Sequence, residues 1–421
     1  MITIATSILP LLLGIGLLLI GIGLQGSLLG LRANLEGFPV PVTGMVMSGY
    51  FLGFIIGTFL CPRLIRRVGH IRAFAAFAAV TAAAAVAHGL LVEPWLWGGL
   101  RIVTGTAMVG LYMVIESWLN LIAPNATRGR YFAVYTTTTL FAMALGQYLL
   151  LADDIDSYRL FSITAILVAL AVVPIALTRI NQPPMVATPS LGLRQLYHGS
   201  PLGVIGALIT GLNNGAFWGL GALFAERIGL NAGGIALLMS LTIIGGALLQ
   251  WPIGHFSDRH DRRSVLLVVS LVGAILAITT YLILDTPAPW MLLLAISYGG
   301  FAFALYGLSI AHANDQLAPE DLLEGARNLL LIYGIGAMVG PTIASLVMAR
   351  LGAGSLLLFL AANLIALALF AAYRMRMREA LPTEEQMEFV AVVRTSSAAL
   401  EMDPRLEVEG ELPQTADSRA G

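Results

Sequence analysis

A glutamate, Glu116, lies inside an otherwise apolar run, LYMVIESWLNLIAP, at residues 111–124. Tyr112 and Asn120 are four residues before and after it, so the three side chains share one face of a helix. Arg101, eleven residues before Tyr112, falls within about 20° of that face at roughly 100° per residue. A carboxylate in such a run needs a charged partner, a wet cavity or a bound proton, so we expect this stripe to be a coupling or gating site.

The rest of the chain predicts a membrane around this stripe. Of the 421 residues, 58% are hydrophobic and 11% are charged, which is too few charges for a water-soluble surface. Twelve apolar runs without strand-like alternation are long enough to cross a hydrocarbon core, which predicts an all-α membrane protein. The first run lacks a basic leader and is too long for a signal peptide, so it is predicted to remain as a span. The runs cover residues 8–31, 42–62, 73–92, 96–121, 131–151, 159–178, 201–224, 232–252, 264–284, 290–311, 326–349 and 355–373.

The charges predict an orientation. Every basic residue is arginine, and the loops after even-numbered runs hold most of them. By the positive-inside rule these loops, and both termini, are cytoplasmic in a multi-pass protein of the bacterial inner membrane. The arginines on this side are Arg63, Arg66, Arg67, Arg72, Arg128, Arg130, Arg179, Arg194, Arg259, Arg262 and Arg263.

The longest polar interruption, RINQPPMVATPSLGLRQLYHGSP, divides the chain into two halves. We expect an N-terminal six-helix bundle at 1–178, a cytoplasmic linker at 179–200 and a C-terminal bundle at 201–375. Residues 376–421 are acidic and predict a disordered cytoplasmic tail. The halves carry related loops, PRLIRRVGHIR and GHFSDRHDRR, at a constant separation of 192 residues, which indicates internal duplication.

These loops also carry a family resemblance. GHFSDRHDRRSVL resembles the G-x-x-x-D-R-x-G-R-R-x-x-L signature of the major facilitator superfamily, and RIVTG at 101–105 resembles its fourth-span motif. LLGLRANLEGF, ESWLN, RGR and YGIGAMVGP resemble the YcaD-like branch of bacterial permeases, which has no assigned substrate. The resemblance implies twelve transmembrane helices in two pseudo-symmetric six-helix bundles that rock about a central cavity, driven by an ion gradient.

The loop after run eight is a candidate gate. Asp258 is placed to pair with neighbouring arginines and hold the cytoplasmic end closed in one state, although these arginines could serve only to set topology. In the N-terminal copy Arg66 stands where the acid would be, so a latch of this kind is not expected there. The candidate coupling or gating residues are Glu116, Arg101, Asp258, Arg259, Arg262 and Arg263.

Polar and aromatic side chains within the runs are candidates for substrate binding, since polar groups in spans tend to face a bundle interior or water. The alternatives remain open: amides can tie two helices together, aromatic rings can be packing, and an arginine near an interface can extend toward water. The candidates are Gln25, Arg32, Tyr112, Asn213, Asn214, Trp218, Tyr298, Tyr306, Asn328 and Tyr333.

The sequence shows no P-loop, metal-ligand cluster or Ser-His-Asp arrangement, so we expect neither an enzyme nor a cofactor, and no nucleic-acid partner. We predict a monomeric secondary active transporter of a small molecule, coupled to protons, with export favoured over uptake because the candidate cavity is aromatic and rich in amides. An uncoupled facilitator and a transporter-like sensor are the alternatives. Glu116 either pairs with the loop arginines as a structural latch or exchanges a proton between the two states of the transporter.

Overall fold

The computed structural model describes residues 2–124, 127–177, 192–284, 288–377, 381–390 and 394–400, and these are helical with short connections and no strand. The 3-10 turns are Tyr148–Leu151, Pro319–Asp321 and Thr383–Glu385. The helices are α1 (Ile2–Leu35), α2 (Val40–Val68), α3 (His70–Leu90), α4 (Pro94–Ile122), α5 (Arg128–Gln147), α6 (Arg159–Leu170), α7 (Val172–Ala176), α8 (Leu193–Gly199), α9 (Pro201–Arg227), α10 (Ala232–Ser257), α11 (Arg262–Leu282), α12 (Ala288–Asn314), α13 (Leu322–Leu351), α14 (Ser355–Met377) and α15 (Ser397–Leu400).

Eleven helical segments in the described residues are long and apolar enough to cross a membrane, with α6 and α7 forming one of them. The twelfth span is α9, whose 27 residues include several glycines and two asparagines. Its lower hydropathy reflects its place, since most of α9 is buried against other helices rather than exposed to lipid. The predicted fold class, twelve transmembrane helices in two six-helix bundles, is confirmed.

The two bundles repeat the same helix pairs. In the first half α1 packs on α5, α2 on α4, and α3 on α6. In the second half the equivalent helices pair in the same way: α9 packs on α13, α10 on α12, and α11 on α14. This correspondence is the structural counterpart of the duplicated loops. The helices α1, α2, α4 and α5 of the first half are therefore equivalent to α9, α10, α12 and α13 of the second.

Glycine allows the closest of these pairs. A side chain at Gly53 on α2 would put its Cβ atom 2.1 Å from the carbonyl oxygen of Ile102 on α4. On α13, a Cβ atom at Gly336 would lie 2.2 Å from the carbonyl oxygen of Leu208 on α9. Backbones approach so closely only where no Cβ atom intervenes, which is the usual basis of tight helix packing in membranes.

The two ends of the protein carry different loops. The arginine-rich end holds the α2–α3 and α10–α11 loops, and the opposite end holds the α1–α2 and α9–α10 loops. At the opposite end and near the middle, the halves meet directly through α2 with α13, α1 with α9, and α5 with α10.

The C-terminal segment differs from its prediction. The sequence predicts a disordered tail over 376–421, but the described residues 394–400 are mostly buried, and α15 contacts both α4 and α13. The reason is local composition: the acidic tail contains the apolar stretches MEFV and SSAAL, which can pack between the bundles. Residues 378–380, 391–393 and 401–421, and most of the predicted linker, lie outside the described residues.

Candidate functional site

A cavity of about 180 Å³ lies between the two halves, lined by α1, α2, α4 and α5 from the first and by α9, α10 and α13 from the second. Its wall is largely apolar and includes six aromatic side chains, which suits an amphipathic solute. The aromatic lining residues are Tyr50, Phe51, Phe54, Tyr112, Trp218 and Tyr333.

Polar groups interrupt this wall at a few points. Gln250, Thr136 and Thr139 line the cavity, and so does Arg101, whose guanidinium carbon lies 4.6 Å from the centre of the Tyr50 ring. Arg101 is buried, and its Nε atom has no hydrogen-bond partner in the described part of the chain. A desolvated cation–π contact of this kind contributes about 2 kcal/mol.

The tail closes the cavity toward the arginine-rich end. Arg394 and Thr395 are part of the cavity wall. The guanidinium carbon of Arg394 lies 5.4, 5.8 and 5.6 Å from the ring centres of Phe303, Tyr306 and Tyr333. An arginine of the tail therefore sits among aromatic residues of the second half.

Glu116 lies beside this tail segment and is fully buried. The hydroxyl of Tyr135 on α5 donates to its Oε1 atom at 2.6 Å. The hydroxyls of Thr395 and Ser396 donate to Oε1 and Oε2, respectively. Since Thr395 also lines the cavity, a single residue joins the buried carboxylate to the central space.

The proposed pairing of Glu116 with loop arginines is absent from this conformation. Within the described residues Glu116 makes no ion pair, and Arg63, Arg66 and Arg67, which lie near the C-terminal end of α2, are exposed. Glu116 faces α5 and the tail, so hydroxyl groups rather than guanidinium groups reach its oxygens.

Arg262, the first residue of α11, is buried and holds the tail in place. Its Nε atom lies 2.6 Å from Asp315, just after the end of α12, and its Nη2 atom lies 3.2 Å from Asp258. It also donates to the carbonyl oxygen of Met387. The backbone N–H of Met387 donates to Asp315 at 3.0 Å, and that of Phe389 to Asp258 at 2.8 Å. The loop motif thus forms an ionic network that binds the tail backbone.

The other two arginines of this motif, Arg263 and Arg259, have different surroundings from those of Arg262. Arg263 lies 3.0 Å from Asp261, whose side chain also caps the N-terminus of α11. Burial opposes ionisation of Asp261, but the hydrogen bonds and charge of Arg263 outweigh it, so its pKa is lower than usual. Arg259 is exposed, and its backbone N–H donates to the carbonyl oxygen of Phe256.

Comparison with known proteins decides the family. The sequence model of the Major Facilitator Superfamily matches residues 11–199 and 203–404. The chain belongs to the major facilitator superfamily.

Superfamily members of similar sequence come from enteric bacteria. An uncharacterized MFS-type transporter of Enterobacter sp. (strain 638) is 32% identical over 351 residues, which cover 83% of this chain and 90% of that protein. The uncharacterized MFS-type transporter YcaD of Escherichia fergusonii is 30% identical over 322 residues, covering 74% and 81%. The YcaD-like resemblance is therefore confirmed, and the chain is a membrane transporter that spans the bacterial inner membrane repeatedly.

Solved structures agree in fold. The nucleoside transporter NupG superposes with a TM-score of 0.76 at 17% identity, covering 88% of this chain and 99% of that one. A bacterial homologue of the human lysosomal transporter Spinster gives 0.63 at 15% identity, covering 96% and 98%. At such identities the likeness concerns the fold alone.

Within this superfamily fold, three of the predicted substrate-binding residues line the central cavity: Tyr112, Trp218 and Tyr333. Tyr306 packs beside it, with its ring centre 4.8 Å from that of Tyr333. Gln25 is buried on α1 and its amide has no partner in the described chain, yet it does not line the cavity, although its neighbour Gly26 does.

The other candidates lie elsewhere, so their prediction as cavity residues differs from the structure. Arg32 donates to Glu36 at 2.6 Å and to the carbonyl of Asp156, at the opposite end. Asn213 bonds the carbonyl of Leu360 and accepts from Asn363, which ties α9 to α14. The remaining three are Asn214, which is buried on α9, Tyr298, which lines a separate small cavity in the second half, and Asn328, which is half-buried on α13.

Sequence reasoning missed the partners of Glu116 and one of the two cavity arginines. Tyr135 lies in the fifth span, and no spacing rule relates it to Glu116 nineteen residues earlier. Arg394, Thr395 and Ser396 belong to the segment predicted to be solvated. The only available signal was the sequence RTSSAAL itself, an apolar and small-residue stretch within an acidic tail.

Proposed function

We propose that this protein is a proton-coupled secondary active transporter that moves a small molecule by alternating access, in the direction of export. The observation that carries the proposal is Glu116, a buried carboxylate that accepts a hydrogen bond from Thr395 in the wall of the cavity between the two halves. Coupling requires a group that gains and loses a proton as the cavity changes its exposure, and the burial of Glu116 beside the cavity supports this role.

The proposed cycle follows from the partners of Glu116. With the tail in place, three hydroxyls hold the carboxylate away from water. Departure of Thr395 and Ser396 would hydrate Glu116 and allow it to exchange a proton with the solvent. A protonated Glu116 carries no charge, so it would allow the surrounding helices to pass through a closed state at a lower electrostatic cost.

We also propose that the arginine-rich end and both chain termini face the cytoplasm. This conformation would then be of the inward type, closed on the periplasmic side and covered by the tail on the cytoplasmic side. Single cysteines near Pro184 should be labelled only from the cytoplasm, and those near Asp154 only from outside. Labelling with the reverse pattern would overturn the orientation.

Export is favoured because the aromatic cavity wall suits an amphipathic solute that enters from the cytoplasm or the inner leaflet. In everted membrane vesicles an exporter accumulates its solute, whereas an uptake permease run by the same gradient depletes it. The solute itself is best found by a thermal-shift screen on purified protein, in which a ligand of the folded state raises the melting temperature.

The proposal is tested in proteoliposomes with a ligand from that screen. Accumulation against its own gradient, driven by an imposed pH difference and abolished by a protonophore, is the expected result. Counterflow that proceeds equally with and without the pH difference, and never concentrates the solute, would identify an uncoupled facilitator. Binding without flux would favour the sensor hypothesis instead.

A further inference from the structure

Two guanidinium groups share the wall of the central cavity, one from each side of the site. Arg101 comes from α4, and Arg394 comes from the tail. Each has a buried nitrogen without a hydrogen-bond partner in the described part of the chain: Nε of Arg101 and Nη1 of Arg394. A buried donor on a charged group destabilises the protein when it has no acceptor. A site with two such donors therefore predicts a ligand that accepts hydrogen bonds.

The aromatic contacts of both arginines leave these donors available. The guanidinium carbon of Arg101 lies over the ring of Tyr50, and that of Arg394 lies over the rings of Phe303, Tyr306 and Tyr333. A guanidinium that contacts rings through its face still presents its N–H groups in its own plane, and this plane is the direction from which carboxylates bind.

The charge of the cavity points the same way. Among the described lining residues there are two arginines and neither aspartate nor glutamate. The nearby carboxylate of Glu116 accepts from Tyr135, Thr395 and Ser396, and it makes no ion pair with either arginine in the described part of the chain. The two guanidinium charges of the wall therefore outnumber the single nearby carboxylate, and low-dielectric walls strengthen the positive potential that remains.

We infer that the transported solute is an aromatic or amphipathic carboxylate, whose anionic group binds Arg101 and Arg394 while its ring packs against Tyr112 and Trp218. This inference rests on the proposed function and names its substrate class. It also makes the tail part of the binding site, because one of the two cations belongs to it. The tail then completes the cavity in this conformation and must move when the solute passes.

A competing interpretation predicts the reverse preference. Three rings around a cation also form a cage for organic cations, and Arg394 would then be a tethered competitor that occupies the site of a cationic solute. The two interpretations differ in the sign of the effect of Arg394: its removal weakens the binding of an anion but strengthens the binding of a cation.

The test uses the purified full-length protein and three probes of similar shape: benzoate, neutral benzamide and benzyltrimethylammonium. Binding is measured calorimetrically for the wild type, Arg394→Gln, Arg394→Lys and the control Arg376→Gln, an exposed arginine at the end of α14. Benzoate should bind the wild type better than either other probe. Arg394→Gln should weaken benzoate about tenfold and leave benzamide unchanged, whereas Arg394→Lys should recover part of the loss and Arg376→Gln should have no effect.

Three results would overturn the inference: no benzoate binding, an equal loss in Arg394→Gln and Arg376→Gln, or tighter binding of benzyltrimethylammonium in Arg394→Gln. Arg394 lies in the tail, so its variants leave the helix bundles intact, and Arg101→Gln serves as a second site variant where it folds. Binding is measured without a gradient. Benzoate binding without proton-driven flux would therefore refute only the proposed coupling, and proton-driven flux of another solute without benzoate binding would refute only this inference.

Discussion

The two ends of the transporter are closed in different ways. At the opposite end the halves meet directly: Asn34 on α1 donates to Glu226 at 3.0 Å and accepts from Arg227 at 2.7 Å, while Ser48 and Thr342 join α2 to α13 at 2.8 Å. At the arginine-rich end the tail lies between the halves, with Thr395 and Ser396 on Glu116 and the tail backbone on Asp258 and Asp315.

This difference determines what must move at each end. The opposite end opens only when whole bundles separate, because folded helices form the contact. The arginine-rich end can open by release of one segment, whose hydrogen bonds contribute about 0.5–1.5 kcal/mol each when both groups are neutral and more when one is charged. We therefore expect substitutions at the opposite end to cause large losses of transport, and substitutions in the tail contact to cause smaller changes in access to the cavity.

The largest effect is expected from Gly44→Leu at the opposite end. A Cβ atom at Gly44 would lie 2.6 Å from the carbonyl oxygen of Pro341 on α13, so a leucine cannot fit while the halves are in contact. Counterflow should fall more than about tenfold, since small residues permit this close approach. Gly99→Leu is the control, because a Cβ atom at Gly99 would meet no atom of another described helix within 4 Å. Equal activity of the two variants would show that this end need not close.

A smaller loss of transport is expected from a change in the ionic network of Asp258, Arg262 and Asp315. Asp258→Asn removes the charge that binds Arg262 and weakens the acceptor for Phe389, while keeping the shape of the side chain. Initial transport should fall about fivefold, the size expected from one charge-assisted contact, with normal insertion. Arg66→Asn at the equivalent position of the first half should change little, because Arg66 is exposed. Similar losses at both positions would mean that the halves do not differ in this way.

The smallest effect concerns the hydroxyls of the tail. The double change Thr395→Val and Ser396→Ala removes two donors to Glu116, which should loosen the tail and raise entry from the arginine-rich end about threefold. The readout is the labelling rate of a cysteine at Thr139, a cavity residue, with the native Cys61 replaced. Ser397→Ala is the matched control, since no hydrogen bond of its hydroxyl is present in the described structure. A rate that stays at the control value would argue against a tail that restrains access.

The fold followed from the sequence because each span is a local feature. Runs of about 20 apolar residues and the arginine distribution are readable without knowing which helices touch. The exception within the spans is α9, which is less apolar because Gly211, Gly215 and its asparagines face other helices rather than lipid. It was still predicted as a span from its apolar run at residues 201–224.

The candidate site was predicted less completely, because it is built from residues far apart in the chain. Glu116 and Arg101 were recognisable as costly charges in a span, and Tyr112 followed from their common helix face. Nothing local distinguishes Asn213, which ties two helices, from a residue that lines the cavity. The tail was assigned by its average composition, whereas its packing depends on the short RTSSAAL stretch, which an average over an acidic segment conceals.

The role of Glu116 is the central claim, and Glu116→Gln tests it most directly, because glutamine resembles the protonated acid in shape and charge. The variant should express, bind solute and carry out counterflow, but it should fail to accumulate solute when a pH gradient is imposed on proteoliposomes. Normal gradient-driven accumulation by this variant would contradict the account.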